Sequence, residues 1–294
     1  MKTILVPTDF SAHSGQALRA AANLARKSGS ELVLMHTNDI MAYTTPLIEA
    51  REFDKSLAEI YEEKVNERFA RILQELAADT TFAGIPIRTS VWAGKLADIL
   101  TIVVQEENAD LVVMGTLGAG NSDAYLVGSN TQKVIRRVSC PVLTIPLQYD
   151  SQNFFTVVFP STLKDDQAAS FQFLAQFQQV CENEVHLLYL NNPADLPDEE
   201  AIEARAYELA EAAGLKLAGV YTTKENIFDE EEAIVNFAKE QNASLIAMGT
   251  HQRRGLSHLL FGSVTEDTVG HASIPVMSIP LQMAVIDSSS AVKA

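Results

Sequence analysis

Asp110-Leu-Val-Val-Met-Gly-Thr-Leu-Gly118, then nine residues, then Gly128-Ser129: this stretch decides the architecture. The run Leu111-Val-Val-Met114 is short, unbroken in its apolarity and rich in valine, which marks a strand buried on both faces, as in a parallel sheet covered by helices. Glycine allows positive φ and removes the Cβ that would keep a ligand away, so Gly115 and Gly118 could wrap a phosphate with main-chain N–H groups. Gly128-Ser129 then opens a helix whose unpaired amides and partial positive charge face the same anion, with Ser129 and Thr131 adding hydroxyl donors. The plainer reading of the same glycines is a tight strand-to-helix turn with no ligand.

Working outward, the same pattern occurs twice. Pro141-Val-Leu-Thr-Ile-Pro146 returns as Pro275-Val-Met-Ser-Ile-Pro280, and Val113-Met-Gly-Thr116 as Ala247-Met-Gly-Thr250, both 134 residues on (275 − 141). Nearer the start, Ile4-Leu-Val-Pro7 matches Val157-Val-Phe-Pro160 and His36 matches Tyr189, 153 residues on (160 − 7). The second copy has therefore lost 19 residues (153 − 134), after its second strand, where the first copy carries Asp39 to about Ile60 and the second only Asn192 to Pro197. The expected division is 1–148, 153–281 and a polar tail 282–294, with a short polar linker near Leu147 to Asn153.

Strands are predicted at Thr3–Val6, Glu31–His36, Ile87–Val91, Asp110–Met114 and Val142–Ile145. Helices are predicted at Ser11–Ser28 (stopped by Gly29), Ser56–Ala77, Lys95–Glu107 and Ser129–Arg137. Strands of the second copy are predicted near Thr156–Phe159, Glu184–Tyr189, Lys216–Tyr221, Ser244–Met248 and Val276–Ile279. The expectation is an α/β protein of two tandem five-stranded parallel-sheet domains, with ligands bound beyond the carboxyl ends of the strands. Those ends are Pro7-Thr8-Asp9, His36-Thr37 and Gly115 onward.

Composition narrows the function. The 294 residues are 47% apolar and 20% charged, enough for two sizeable cores. A net charge of −16 without a basic stripe argues against nucleic acid. The apolar run ending at Pro7 is too brief for a signal-peptide core and no segment reaches a membrane-spanning length, so the expectation is a cytoplasmic protein without membrane contact. Cys140 and Cys181 have no C-x-x-C or histidine partner at metal spacing and read as buried thiols. The six histidines show no metal or catalytic spacing, and Asp229-Glu-Glu-Glu232 and Asp198-Glu-Glu200 read as charge matched to helix starts. Lys133, Arg136 and Arg137 suit the last turn of their helix. Asp9 is placed to accept from a ribose hydroxyl or a base amine, or to cap the helix that begins near Ser11.

The G-x2-G-x9-G-[ST] pattern, with the opening Ile4-Leu-Val-Pro-Thr-Asp-Phe-Ser11 and the closing Cys140-Pro-Val-Leu-Thr-Ile-Pro146, resembles the universal stress protein family in its ATP-binding form. The likeness covers both copies. It implies an adenine nucleotide alpha hydrolase-like, Rossmann-like sandwich that binds ATP, with Mg²⁺, in a stress-response role. It places Pro7, Thr8 and Asp9 at the nucleoside, Thr37 as a backbone contact, and Met114, Gly115, Gly118, Gly128, Ser129, Asn130 and Thr131 at the phosphates.

The second copy departs from the pattern, with Gln252 at the second loop glycine and Thr162 at the Asp9 position, although Arg253, Arg254 and His258 supply cations. One ATP per chain, in the first domain, is the expectation. No general base or nucleophile stands out, so hydrolysis should be slow at most. The leading reading is a regulatory protein whose ATP-bound surface is read by an unknown protein partner; an adenylate-chemistry enzyme or slow ATPase is the second, and the third is a pairing module whose copies pack through their Pro-Val-x-x-Ile-Pro strands, within one chain or as a homodimer, with ligand incidental.

Overall fold

A computed structural model describes residues 1–39, 51–79, 82–117, 128–149, 153–164, 167–191, 198–223, 230–250, 264–265, 268–269 and 272–281. The first repeat runs β1 (Thr3–Pro7), α1 (Ala12–Ser28), β2 (Glu31–Asn38), α2 (Arg51–Ala78), β3 (Ile87–Ala93), α3 (Leu96–Glu106), β4 (Leu111–Gly115), α4 (Ser129–Arg137) and β5 (Val142–Ile145). The second runs β6 (Thr156–Ser161), α5 (Ala168–Cys181), β7 (Glu184–Tyr189), α6 (Glu199–Ala213), β8 (Leu217–Thr222), α7 (Glu230–Glu240), β9 (Leu245–Thr250) and β10 (Val276–Pro280).

Local chemistry sets the boundaries. Helix α1 starts where the Ser11 hydroxyl accepts the Ser14 amide at 3.3 Å, and ends where Gly29 takes φ 71° and its N–H returns to the Ala25 carbonyl. Ser11, not Asp9, is thus the cap. Several elements outrun their predicted limits, β1, β3, β6 and β9 among them. Strand β2 continues past His36 because Thr37 and Asn38 still pair with Trp92 and Ala93 of β3, and α2 begins at Arg51 rather than Ser56.

Strand order is β3-β2-β1-β4-β5-β10-β9-β6-β7-β8: the two predicted five-stranded parallel sheets are joined edge to edge into one of ten strands. Among the described strands all pairs within each repeat are parallel, and only β5 and β10 meet antiparallel. The register there is Val276 with Thr144, Met277 with Leu143 and Ser278 with Val142. Leu143 and Met277 are counterparts in the repeat (277 − 143 = 134), so an internal two-fold axis passes through that pair. The two Pro-Val-x-x-Ile-Pro segments therefore join the repeats within one chain, and the Thr144 hydroxyl donates across the seam to the Val276 carbonyl at 2.9 Å.

Helices cover both faces. Side chains of β1 alternate, with Ile4 and Val6 in the core under α1, α2, α5 and α6, and Leu5 in the core under α3, α4 and α7. Of the linker expected to be polar, Tyr149 is 8% exposed, and Phe154, just past its end, is 1% exposed. Their rings stack 6.4 Å apart, Gln16 of α1 donates to the Tyr149 carbonyl, and the Tyr149 hydroxyl reaches the carbonyls of Asn153 and Ser244 at 3.1 Å. Residues 150–152 and the predicted tail 282–294 lie outside the described residues.

At the β3 edge, Arg88 bridges Glu107 at 2.8 Å and Glu31 at 3.2 Å. These bonds raise the guanidinium pKa, and those from Arg88 hold the Glu31 carboxyl below its ordinary range. A carboxyl lowered in the folded state stabilises above its unfolded pKa, and the contribution is lost as the pH falls below that value toward the lowered one. Because all three groups are partly solvated, Arg88→Ala is expected to cost under about 1 kcal/mol, less in high salt, as read by urea denaturation at neutral and acid pH.

Candidate functional site

The turn after β1 carries the first part of the site. Thr8 is buried; its hydroxyl donates to Ser14 Oγ at 3.0 Å and accepts the Phe10 amide at 3.0 Å. Asp9, exposed, accepts the Ser11 amide on Oδ1 at 3.0 Å, which sets its carboxylate at the turn. Phe10 holds φ 64°, a left-handed conformation unfavourable for a residue with a Cβ. Leu163, its counterpart in the second repeat, holds φ 56°, so this bend belongs to the fold itself.

Beyond the carboxyl ends of β1, β2 and β4 lies a cavity of about 510 Å³, a nucleotide-sized volume. It sits where the strand order turns from β2-β1 to β4-β5, the switch point at which open α/β sheets bind ligands. Pro7, Thr8, Asp9, Thr37, Met114, Gly115, Gly128, Ser129, Asn130 and Thr131 all line it; Gly118 lies outside the described residues. Ser14, His36, Asn38, Asp39, Leu96 and Leu117 line it as well and were not predicted as binding residues. Asn38 and Asp39 arrive with the extension of β2, signalled in the sequence only by where β3 stops pairing. Leu96 opens α3, at the carboxyl end of β3.

The anion-binding end differs in detail from expectation. Gly115 is the last residue of β4 and Gly128 has φ −61°, so neither uses positive φ. The Gly128 amide donates to the Thr116 carbonyl at 2.9 Å and is not offered to the cavity. The Thr131 hydroxyl, 2% exposed, lies 3.2 Å from the carbonyls of Gly115 and Thr116, to which it donates; it latches the loop ends instead of facing a phosphate. The first amide to bond within α4 is Gln132, to the Gly128 carbonyl, which leaves the amides of Ser129, Asn130 and Thr131 without a helical acceptor. These three, with the helix dipole behind them, form the electropositive end of the cavity. Among its described lining residues are two carboxylates, Asp9 and Asp39, and no Lys or Arg.

Gly115 has a packing reason. A Cβ there would lie 2.9 Å from His13 Cβ, 3.0 Å from its carbonyl oxygen and 3.1 Å from its carbonyl carbon. The glycine lets the start of α1 rest directly on the end of β4.

In the second repeat the Ser161 hydroxyl is bonded to the Gln167 side chain and accepts the Leu163 amide at 3.0 Å, while Thr162 stands in place of Asp9. Gly249 faces Leu281 and the Ser170 hydroxyl, where Gly115 faces the α1 backbone. Asp123, Asp229, His251, Gln252, Arg253, Arg254, His258, Gly262, Ser263 and His271 lie outside the described residues. Glu230 to Glu232 form the first turn of α7, and burial raises the Glu230 carboxyl above its usual range. Asp198 caps α6 by accepting the Ala201 amide, and Arg136 and Arg137 fall in the last turn of α4. Burial pushes both thiols, Cys140 and Cys181, up to about 12. No described helix is long and apolar enough to cross a membrane.

A profile of the universal stress protein family matches residues 1–146 and 154–280. The chain is similar to a universal stress protein of Synechocystis sp., 27% identical over 294 residues, with 95% of this chain and 99% of that protein covered. It is also similar to one of Mycolicibacterium smegmatis, 25% identical over 295 residues, with 94% and 96% covered. Among solved structures, a universal stress protein of Archaeoglobus fulgidus aligns at TM-score 0.69 and 20% identity over 95% of this chain and 98% of that one, a likeness of fold.

Proposed function

Because the chain belongs to the universal stress protein family, we propose that it is a nucleotide-binding regulatory protein of the stress response that holds one ATP, with Mg²⁺, in the cavity of its first repeat. The observation that carries this reading is the convergence on one nucleotide-sized cavity of the unpaired amides at the start of α4 and the Asp9 carboxylate at the end of β1. Ser129, Asn130 and Thr131 would bind phosphate oxygens through main-chain N–H groups. Asp9 would accept from the ribose, and the Thr37 backbone would meet the base. The carboxylates of Asp9 and Asp39 make the unneutralised triphosphate a poor fit, so the magnesium complex is the form that suits the site. The described lining offers no nucleophile paired with a base, in keeping with slow hydrolysis at most. Binding of ATP would instead stabilise a surface read by a protein partner.

Calorimetric titration of the whole chain with ATP and Mg²⁺ tests the proposal, with one site expected. Asp9→Ala removes a charged acceptor worth about 1.5–3 kcal/mol, and the affinity is expected to fall about ten- to a hundredfold. Two equivalent sites, or an unchanged affinity in the variant, would count against it. A pairing module with no ligand is the second reading, favoured by the β5–β10 seam; mass analysis for nucleotide carried through purification separates the two.

A further inference from the structure

Phe10, whose conformation bends the chain just after Asp9, is held by more than its own turn. Its ring lies 4.7 Å from the His36 ring and 5.4 Å from Phe69, with the Arg68 guanidinium 5.2 Å above its face. His36 in turn uses both ring nitrogens. Nδ1 lies 2.7 Å from the Thr8 carbonyl, which can only accept, so Nδ1 carries the proton. Nε2 of the neutral ring is then an acceptor, 2.7 Å from the Tyr61 hydroxyl, which donates. Tyr61, Arg68 and Phe69 all belong to α2. The second repeat has Tyr189 at the His36 position and only the 15-residue α6 where α2 has 28.

We propose that His36 and Tyr61 are positioning residues that hold the Thr8–Phe10 turn, and with it the Asp9 carboxylate, in the geometry that receives the nucleoside, so that α2 and the occupancy of the cavity are coupled. This rests on the reading of the cavity as an adenine-nucleotide site. His36 lines the cavity, yet with both nitrogens engaged it offers the ligand no hydrogen bond; its contribution passes through Thr8 and Phe10. The bend itself recurs at Leu163 without such a link, so loosening the Tyr61 anchor is expected to shift the turn and Asp9 in place and not to unbend it, and the electropositive end at α4, on a different element, is left as it was.

The chain's single tryptophan, Trp92, pairs with the cavity-lining Thr37 across β2 and β3 and is the natural fluorophore to try as a binding probe beside calorimetry. Tyr61→Phe keeps the ring and removes one donor, so ATP and adenosine are expected to bind about two- to tenfold more weakly, while inorganic triphosphate binds unchanged. His36→Asn keeps a donor toward Thr8 but does not reach Tyr61, and the double variant should lose no more than the larger single loss, because both act through one link. Unchanged ATP and adenosine binding in Tyr61→Phe, even with a lower Tm, overturns the proposal, as does an equal loss of triphosphate binding. If the wild-type chain binds neither ATP nor adenosine, the nucleotide reading fails instead. The positioning role is then judged by hydrogen exchange at the Phe10 and Ser11 amides, which Tyr61→Phe should speed; unchanged exchange rejects it.

Discussion

Phe154→Ala is expected to lower the unfolding free energy by about 3–5 kcal/mol, the usual cost of a large aromatic removed from a closed core. Phe154 is 1% exposed, stacks on Tyr149 and packs 5.8 Å from Phe177 of α5. Lys27 of α1 donates to the Asn153 side chain at 2.9 Å beside it. The ring thus fills the space where helices of the two repeats meet, and its loss leaves a cavity that neither helix can close while the β5–β10 register holds them apart. Urea denaturation followed by circular dichroism measures the effect. Phe155→Ala, at a 61% exposed neighbour, is the control and should change stability by less than about 0.5 kcal/mol. A loss under about 1 kcal/mol for Phe154→Ala would mean that the strap between repeats is not part of the core.

Gly115→Val has the largest expected effect on binding. The added Cβ meets main-chain atoms of His13 at 3.0 and 3.1 Å, and two further methyl groups must be placed around it. A backbone does not yield as a side-chain tip does, so the start of α1 must shift from β4, at about 1–3 kcal/mol of overpacking strain. That shift separates Asp9 and Ser14 from the α4 amides across the cavity. ATP affinity is therefore expected to fall more than about a hundredfold, as two converging sets of contacts, each worth over about 1.4 kcal/mol, come out of register. Calorimetry reads the affinity and a melting curve the strain. Gly249→Ala is the matched comparison: its Cβ would face Leu281 Cδ2 at 2.8 Å and Ser170 Oγ at 3.1 Å, side-chain atoms that can move. It should cost less stability and leave the ATP titration unchanged. Equal behaviour of the two variants would remove the distinction between the repeats at this position.

The alternation of apolar runs and helical segments was legible because buried parallel strands such as Leu111–Gly115 leave no polar residue to confuse their period. Gly29 announced the end of α1 because only a left-handed cap suits it there. Less was visible where one residue type answers two needs. Glycine at 115 serves close packing as readily as positive φ, and only the position of His13 separates the two. A threonine at 131 can donate to a ligand or to Gly115 and Thr116, and the sequence carries no sign of which. Tertiary pairing overrode local polarity at Thr37-Asn38, prolonging β2 and bringing Asp39 to the cavity. Tyr149 looks like a linker residue because its partners, Gln16 and Phe154, lie on either side of the junction between repeats. The contact of His36 with Tyr61 spans 25 residues (61 − 36), and no local periodicity registers it.

The antiparallel meeting of β5 and β10 turns one repeat head to tail against the other, so that strands of the first half finish on one rim of the slab and those of the second on the opposite rim. A flat partner resting over the cavity of the first repeat therefore cannot also touch the carboxyl ends of β6, β7 and β9.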